Sequence, residues 1–525
     1  MPGTKVLKER REGETMRTLF AFLLSSFLAA ADLLQPSQVV YEGSFRVPTG
    51  KFGSSSFAYG GTAIGYNPAR DSLYMVGHDW DQAVAEISIP TPSKSSVGSL
   101  PTATVLQSFS DPSEGKAFTV DNGTVKIGGL YVHNGLLIGT AYSFYDAEGN
   151  QTLSHFTSTL SLSTPGDARG MYQVGTLGAG FTAGYMCPIP QEWQAQLGGP
   201  VIVGQAALSI ISRTSSGPAA FAFDPADLGV KNPVPVSSLV YYPLATPLAP
   251  STSQNDLFTL ATTIKGVCFP AGFRSVLFWG TQGTGPYCYG DGAQCGDPDF
   301  GWKGPHAYPY RVQIWAYDAL DLVAVKSGAK QPWSLRPYGV WPMAMPFGKG
   351  NNLLGGVATD SATGRVYVSQ QSVVSDGFDP FPVVHVYSIS GGTVVVPPPP
   401  PPPDPVPVVP TKIVLTWSHT GRDINNAAIT IDKTEVKIVK RGAGSGSIAT
   451  ATFYTTASEL DLALVSFAVQ GDFDAHIRAH SAQGWSSYTP AIPFVWPPSE
   501  PQPAQVAPKL TSPSRPFSVK AEAKP

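Results

Sequence analysis

The sequence predicts an all-β protein, and three observations lead to that prediction. Glycine (54) and proline (50) are abundant among the 525 residues while only 14% are charged, which is typical of many short strands joined by turns. Apolar and polar residues alternate with a period of two in many stretches bounded by Gly, Pro, Asn and Asp. A signature of three apolar residues, a glycine and a polar residue also recurs along the chain.

The recurring signature defines a repeat of four strands. Its copies are YMVGH (74–78), LLIGT (136–140), VIVGQ (201–205), LFWGT (277–281) and the variant VYVSQ (366–370). A short apolar stretch precedes each copy and opens at Gly61, Gly129, Gly184, Gly266 and Gly356. An alternating strand follows each copy, and a fourth strand follows the first four copies. The fifth copy lacks that strand, and VVYEGSFRVP (39–48) at the other end of the chain has the pattern to supply it.

This organisation resembles a five-bladed β-propeller in which each blade is a four-stranded antiparallel sheet. The resemblance implies a propeller over residues 32–393 that is closed by the N-terminal strand. Closure would pair strand edges that an open ring leaves exposed. The alternative fold is a two-sheet β-sandwich.

The N-terminal region, residues 1–31, has the pattern of a signal peptide. Arg17 precedes the apolar run LFAFLLSSFL (19–28), and AAAD follows it. The run is shorter than the roughly 20 residues that a spanning helix needs, so no transmembrane span is expected after cleavage; a buried helix is the alternative. Met16 is the expected start of the natural chain. We therefore expect an exported, bacterial protein in the extracellular space, on the cell surface or in the periplasm.

The C-terminal third predicts three further segments. Residues 394–410 contain seven consecutive prolines and form a polyproline linker, which is a semi-rigid spacer. Residues 411–496 resemble a fibronectin type III domain, an Ig-like β-sandwich, with Trp417 in the position of its buried tryptophan. Phe473 departs from that pattern because the family has a tyrosine there. Residues 497–525 have few large apolar side chains and predict a disordered tail.

The loops on one edge of the predicted propeller carry the candidate binding residues. A net charge of -3 gives no basic surface for phosphates, so nucleic acid is not an expected partner. Aromatic faces beside carboxylates suit sugar rings, which predicts a carbohydrate or a cell-surface protein as partner. The alternative is that these residues only shape turns. The predicted binding residues are His78, Asp79, Trp80, Asp81, Tyr145, Asp146, Trp302, His306, Tyr308, Asp376 and Asp379.

One loop predicts both a disulfide and a weak metal site. Cys288 and Cys295 are separated by a short glycine-rich stretch, which makes them the favoured pair, while the pairing of Cys187 and Cys268 stays open. Asp291, Asp297 and Asp299 supply oxygen ligands of the kind that calcium accepts, although their spacing matches no EF-hand.

Two other functions remain as alternatives to binding. A glycan-active hydrolase would need two of the aspartates in these loops as its acid and base. The inner strands are predicted to begin at Thr62, Leu130, Tyr185, Val267 and Val357, and none begins with an acid. A purely structural surface or assembly protein is the second alternative, so the sequence favours binding over catalysis.

Overall fold

The computed structural model shows a mostly β protein that forms two compact units, Met1–Pro397 and Pro398–Pro525. It describes residues 31–120, 124–146, 148–164, 166–205, 213–348, 353–390, 412–419, 430–443, 445–446, 449, 451–455, 459–461, 471–482, 484–488, 490–496, 505–506 and 517–524. The predicted signal peptide, except for Ala31, and the predicted polyproline linker lie outside these residues. No described helix is long and apolar enough to cross a membrane.

The described part of the first unit contains five four-stranded antiparallel sheets. Strand β1 (Val39–Arg46) comes first, and a short hairpin of β2 (Lys51–Phe52) and β3 (Ser55–Ser56) follows it. Sheet 1 consists of β4 (Ile64–Asn67), β5 (Ser72–Val76), β6 (Val84–Ser88) and β7 (Val105–Ser110). Sheet 2 consists of β8 (Val125–His133), β9 (Leu136–Ser143), β10 (Leu153–Thr159) and β11 (Arg169–Gln173).

The other three sheets repeat this order. Sheet 3 consists of β12 (Met186–Pro188), β13 (Val201–Val203), β14 (Ala220–Phe223) and β15 (Ser237–Val240). Sheet 4 starts with β16 (Thr263–Cys268) and β17 (Ser275–Gly283), continues after an inserted hairpin of β18 (Cys288–Gly290) and β19 (Gly304–His306), and ends with β20 (Tyr310–Asp318) and β21 (Gly339–Pro342). Sheet 5 consists of β22 (Leu354–Asp360), β23 (Arg365–Ser375), β24 (Pro380–Ile389) and, on its outer edge, β1.

Three short α-helices are described: α1 (Gln191–Leu197), α2 (Gly292–Cys295) and α3 (Ala319–Lys326). Helix α3 begins where the carboxylate of Asp318 accepts a hydrogen bond from the backbone N–H of Leu320, which caps the first turn. Helices α1 and α3 contact each other beside sheets 3 and 4, and both turn buried apolar residues toward that core. Short 3-10 turns lie at Pro36–Gln38, Val97–Ser99, Ala117–Val120, Ala179–Phe181, Pro225–Asp227 and Pro332–Ser334.

The N-terminal strand pairs with the last repeat, as the sequence predicts. Strand β1 runs antiparallel to β24 from Val39 opposite Ile389 to Arg46 opposite Val383. Phe45 of this strand is fully buried, in a cluster that combines residues of sheets 1 and 5. The two ends of the first unit are therefore joined in one sheet.

The repeated glycines allow the first strands of neighbouring sheets to approach closely. The first strands contact one another in the order β4, β8, β12, β16, β22 and back to β4. A Cβ atom on Gly128 would lie 1.9 Å from the carbonyl oxygen of Ala183, and one on Gly355 would lie 1.7 Å from that of Gly61. Both distances are below any real Cβ contact, so only glycine fits between these backbones.

We expect Gly128→Ala to lower the free energy of unfolding by about 3 kcal/mol, because the added methyl group meets the backbone of the next sheet. Urea denaturation followed by tryptophan fluorescence would measure the loss. Gly98→Ala is the matched control, since nothing lies within 4 Å of a Cβ there and its backbone is not in the left-handed region. Equal stability of the two variants would contradict the close approach of β8 to the third repeat.

The second unit contains two sheets. One has the order β28 (Glu459–Asp461), β25 (Lys412–His419), β33 (Phe517–Lys524) and β32 (Gln505–Val506). In the other, β27 (Ala451–Thr455), β26 (Ile431–Lys440), β29 (Gly471–Ser481) and β30 (Gly484–Trp485) lie side by side, and β31 (Ile492–Trp496) also pairs with β29. Phe473, Ala475, Ile477 and Ala479 alternate along β29 and are buried.

Two parts of the predicted disordered tail are strands, β32 and β33. Phe517–Lys524 pairs with Lys412–His419 over its whole length. The segment reads FSVKAEAK, in which apolar and polar residues alternate strictly, so it fits a strand despite its low content of large apolar side chains. The average composition of residues 497–525 concealed this local pattern.

Candidate functional site

One edge of the five sheets carries the long connections. Since neighbouring strands within each sheet are antiparallel, the turn from the second to the third strand and the connection to the next sheet lie at the same edge. We call this edge the loop face. It comprises the described residues of 47–63, 77–83, 111–124, 144–152, 174–185, 204–219, 241–262, 284–309, 343–353 and 376–379.

The exposed aromatic side chains of the first unit are concentrated on the loop face. Eight described aromatic residues of this unit have more than a third of their surface exposed, and all eight belong to the loop face. Trp80 is 86% exposed and Phe378 is 97% exposed. A large exposed apolar surface on one side of a protein typically marks an interaction site. The eight are Tyr59, Trp80, Phe118, Tyr145, Tyr289, Trp302, Tyr308 and Phe378.

The turn after β5 holds four predicted residues in a fixed arrangement. Asp79 accepts a hydrogen bond from the ammonium of Lys126 at 2.5 Å, and Asp81 accepts one from the hydroxyl of Ser55 at 2.7 Å. His78 Nδ1 accepts a hydrogen bond from the backbone N–H of Trp80 at 3.2 Å. The indole of Trp80 therefore projects into solvent from a turn that ion pairing and hydrogen bonds hold in place.

A ring pair extends this turn. The ring of His78 makes an edge contact with that of Tyr59, with 5.2 Å between their centroids. Tyr59 itself is exposed, so it and Trp80 give two exposed aromatic side chains in this part of the loop face. The role of this turn in binding stays a prediction.

Other predicted carboxylates shape their own turns. Asp146 accepts backbone hydrogen bonds from Asn150 at 2.8 Å and from Gln151 at 3.3 Å. The backbone N–H of Asp379 donates a hydrogen bond to the side chain of Asp376 at 3.4 Å, and the backbone N–H of Asp376 donates one to the carbonyl oxygen of Asp379 at 3.3 Å. These hydrogen bonds stabilise the turns themselves, which is the alternative to a role in binding for these carboxylates.

The hairpin inserted between β17 and β20 is a braced loop. The predicted disulfide between Cys288 and Cys295 is present, and it joins β18 to the end of α2. Asp297 is buried, and its Oδ2 lies 2.7 Å from Nδ1 of His306 and 2.6 Å from the hydroxyl of Tyr310. Nε2 of His306 lies 2.9 Å from the carbonyl oxygen of Trp302. Predicted residue His306 is thus part of the loop interior, whereas Trp302 is half-exposed on its surface.

The three predicted calcium ligands have other roles. Asp291 caps α2 by accepting the backbone N–H of Gln294 at 2.8 Å. Burial acts to raise the pKa of Asp297, but hydrogen bonds from Tyr310, His306 and two backbone N–H groups hold it below its usual range. Burial and the neighbouring Asp297 raise the pKa of Asp299. No three His, Cys, Asp or Glu side chains are grouped for a metal ion among the described residues, and the calcium site stays a prediction.

The other two cysteines are free and buried. They lie on the first strands of sheets 3 and 4. Burial raises the pKa of the Cys268 thiol to about 12. Its sulfur accepts a hydrogen bond from the indole N–H of Trp279 at 3.4 Å, which acts to lower the pKa but does not outweigh burial. A buried thiol with a raised pKa is a packing group and not a nucleophile.

Two lysines, Lys126 and Lys265, are not among the residues predicted from the sequence. The inner strands were expected to begin at Leu130 and Val267, but β8 begins at Val125 and β16 at Thr263. Both strands carry a β-bulge near their glycines, between Ile127 and Gly129 and between Ile264 and Gly266. For Lys265, the sequence did contain a signal: the residue before the repeated glycine is glycine or alanine in the other four repeats and lysine only in the fourth repeat. Lys126 had no such signal.

Lys126 forms an ion pair with Asp79, and Lys265 is close enough for both charges to act on it. Lys126 donates to the Asp79 carboxylate and, at 2.7 Å, to its carbonyl oxygen. Burial lowers the pKa of Lys265 to about 8, Asp79 acts to raise it, and Lys126 lowers it further. We call Asp79, Lys126 and Lys265 the central cluster. It connects the first strands of sheets 2 and 4 with the turn that carries Trp80.

No protein-family model and no curated protein matches this chain. Among solved structures, it is similar to an exo-1,5-α-L-arabinanase from a bovine ruminal metagenomic library, with a TM-score of 0.33 and 11% identity over 64% of this chain and 99% of that chain. It is also similar to a member of the DUF4221 family from Bacteroides vulgatus, with a TM-score of 0.29 and 8% identity over 67% of this chain and 98% of that chain. At these TM-scores neither likeness bears on activity, and the fold described above rests on strand pairing alone.

Proposed function

We propose that this chain is an exported or cell-surface binding protein whose loop face recognises a carbohydrate. The observation that carries the proposal is the position of the eight exposed aromatic side chains, all of which belong to the loop face. Aromatic faces bind the apolar side of sugar rings, and the carboxylates and amides beside them can accept and donate hydrogen bonds to hydroxyl groups. A cell-surface protein is the other partner that such a face would fit.

We also propose that the five sheets form a closed five-bladed β-propeller, with the second unit a fibronectin type III-like sandwich. Three observations support the closed ring: the cyclic contacts of the first strands, the pairing of β1 with β24, and a cavity of about 310 Å³. That cavity is lined by residues in or next to the first strands of sheets 1, 2, 3 and 5, and a cavity between the first strands is what a propeller would have along its axis.

Export is part of the proposal. The disulfide between Cys288 and Cys295 braces a loop, and such bonds persist in oxidising compartments outside the cytosol. The signal-peptide pattern at residues 1–31 is the other support for export. The hydrolase alternative has less support, because Asp79, Asp81 and Asp146 already have ionic or hydrogen-bonding partners, which are the ammonium of Lys126, the hydroxyl of Ser55 and the backbone N–H of Asn150.

A polysaccharide panel, scored together for binding and for release of reducing ends, tests the proposed function. We expect saturable binding without product, and we expect Trp80→Ala with Trp302→Ala to weaken that binding at least about tenfold, because stacking surface is lost. Val230→Ala is the matched control, since Val230 is exposed at the opposite edge of sheet 3. Product release would support the hydrolase instead, and binding that survives the double substitution would remove the loop face as the site.

A further inference from the structure

Lys265 stands out when the five repeats are superimposed on their first glycine. The residue before that glycine is Gly60, Gly128, Ala183 and Gly355 in four repeats and Lys265 in the other. In β16 the pairing steps from Ile264 opposite Gly280 to Gly266 opposite Trp279, so Lys265 is the extra residue of a bulge. Bulges re-aim side chains and are frequent beside functional sites. One repeat thus carries a long cationic side chain at a position where the other four repeats have glycine or alanine.

The charges around Lys265 do not balance. Among the described residues, Asp79 is the carboxylate that acts on it, and that carboxylate already accepts a hydrogen bond from Lys126. Within the described residues Lys265 itself makes no hydrogen bond or ion pair. The hydroxyl of Tyr142, beside Asp79, has its pKa raised by burial and stays neutral. The central cluster therefore holds two ammonium groups against one carboxylate, and a half-buried cation without a direct partner favours an anion.

Buried polar atoms without partners lie along the same strands. In the described part of the chain, Oγ1 of Thr263 and Oγ1 of Thr62 are buried and form no hydrogen bond. Thr263 is two residues before Lys265 in β16, and Thr62 is two residues before β4. Buried hydroxyl groups in native proteins nearly always have a partner, so these two are free to hydrogen-bond a water molecule or a ligand near the start of the first strands.

We propose that Lys265, with Lys126, binds the negatively charged group, carboxylate or sulfate, of an acidic saccharide on the loop face. This inference rests on the proposed carbohydrate function and names the class of sugar. Trp80 follows Asp79 directly in the chain, so a sugar ring stacked on the exposed indole would bring its acidic group toward the central cluster. An ammonium binds either anion as a point charge, and the shared requirement is the charge itself.

Calorimetric titration of the full chain with oligogalacturonate and with its methyl ester tests whether a carboxylate of the sugar is bound. Esterification removes the negative charge and keeps the sugar ring. A comparison of dextran sulfate with dextran tests in the same way whether a sulfate group is bound. We expect at least about tenfold tighter binding of a charged probe than of its neutral partner, and Lys265→Met should remove that preference. Thermal unfolding of the variant would verify that it is folded.

The pH dependence provides a second readout. Affinity for the charged probe should fall as pH rises through about 8, because the Lys265 ammonium then loses its proton. The Lys265→Arg variant keeps its positive charge to higher pH, so its affinity for the charged probe should be the same at pH 7 and at pH 9.5. These two pH values lie about one unit or more below and above the pKa of Lys265. Equal binding of charged and neutral probes would overturn the inference and leave the proposed function standing. Absence of binding to every saccharide would overturn both.

Discussion

The protein should lose stability steeply between pH 6.5 and pH 5. His155 and His385 are fully buried in the first unit, and burial lowers the pKa of each to about 3. In the unfolded chain both would titrate near their usual pKa of about 6.5. Below that value each histidine binds a proton in the unfolded state but not in the folded state. As the pH falls, each histidine therefore lowers the free energy of unfolding by about 1.4 kcal/mol per pH unit. Because each unfolded-state histidine is only half protonated at pH 6.5, the two together should cost about 3 kcal/mol across this window.

The window lies above the pH range in which the contribution of Asp297 to stability changes. Asp297 has its pKa held below the usual value, so its contribution is present above about pH 4 and is lost only on further acidification. His133 adds to the histidine effect in the same direction, because burial also lowers its pKa, against the opposing charge of Asp224. Urea denaturation midpoints at pH 7.5, 6.5, 5.8 and 5.0 would therefore report chiefly on the buried imidazoles.

Variants assign the slope to its source. His155→Leu with His385→Gln should flatten most of the stability loss between pH 6.5 and pH 5, even if it lowers stability at pH 7.5. Phe223→Leu is the matched control, because the Phe223 ring lies 5.5 Å from the His155 ring and carries no titratable group. Its cost should be the same at every pH. An unchanged slope in the double variant would mean that neither histidine is kept neutral by the fold.

The sequence predicted the repeat because the physical cause of the repeat is local. The glycines in YMVGH, LLIGT, VIVGQ and LFWGT lie in second strands or directly after them, where a ring or a backbone covers their Cα atoms. A Cβ on Gly139 would lie 2.1 Å from the ring of Phe156, and one on Gly204 would lie 2.0 Å from that of Tyr185. Such contacts permit no side chain, so the pattern is strict enough to read from residue types alone.

The candidate site was harder to predict, because its residues meet only in three dimensions. Asp79 was predicted from the composition of its turn, but its partner Lys126 is 47 residues away on another sheet. His306 and Asp297 were predicted as a binding residue and a metal ligand, and the fold joins them inside a loop. Composition marks a segment as polar, and only packing decides whether its polar groups face solvent or each other.

Removal of residues 32–48 should abolish cooperative folding of the first unit or lower its thermal midpoint by more than about 10 °C. The deletion leaves the backbone groups of β24 unpaired along one edge and removes the buried side chains of Leu34, Phe45 and Val47. It also removes the hydroxyl of Ser44, which lies 2.7 Å from Nδ1 of buried His385. Calorimetry of the mature first unit with and without these residues would measure the change.

Two further measurements connect that loss with ring closure. Phe45→Ala should cost about 4 kcal/mol, since a fully buried phenylalanine is truncated, whereas Val40→Ala on the exposed side of the same strand should cost little. A synthetic peptide of residues 32–48 should bind the shortened protein and raise its midpoint as its concentration increases, because it binds only the folded state. If the shortened protein unfolds at the original temperature and ignores the peptide, β1 does not close the ring.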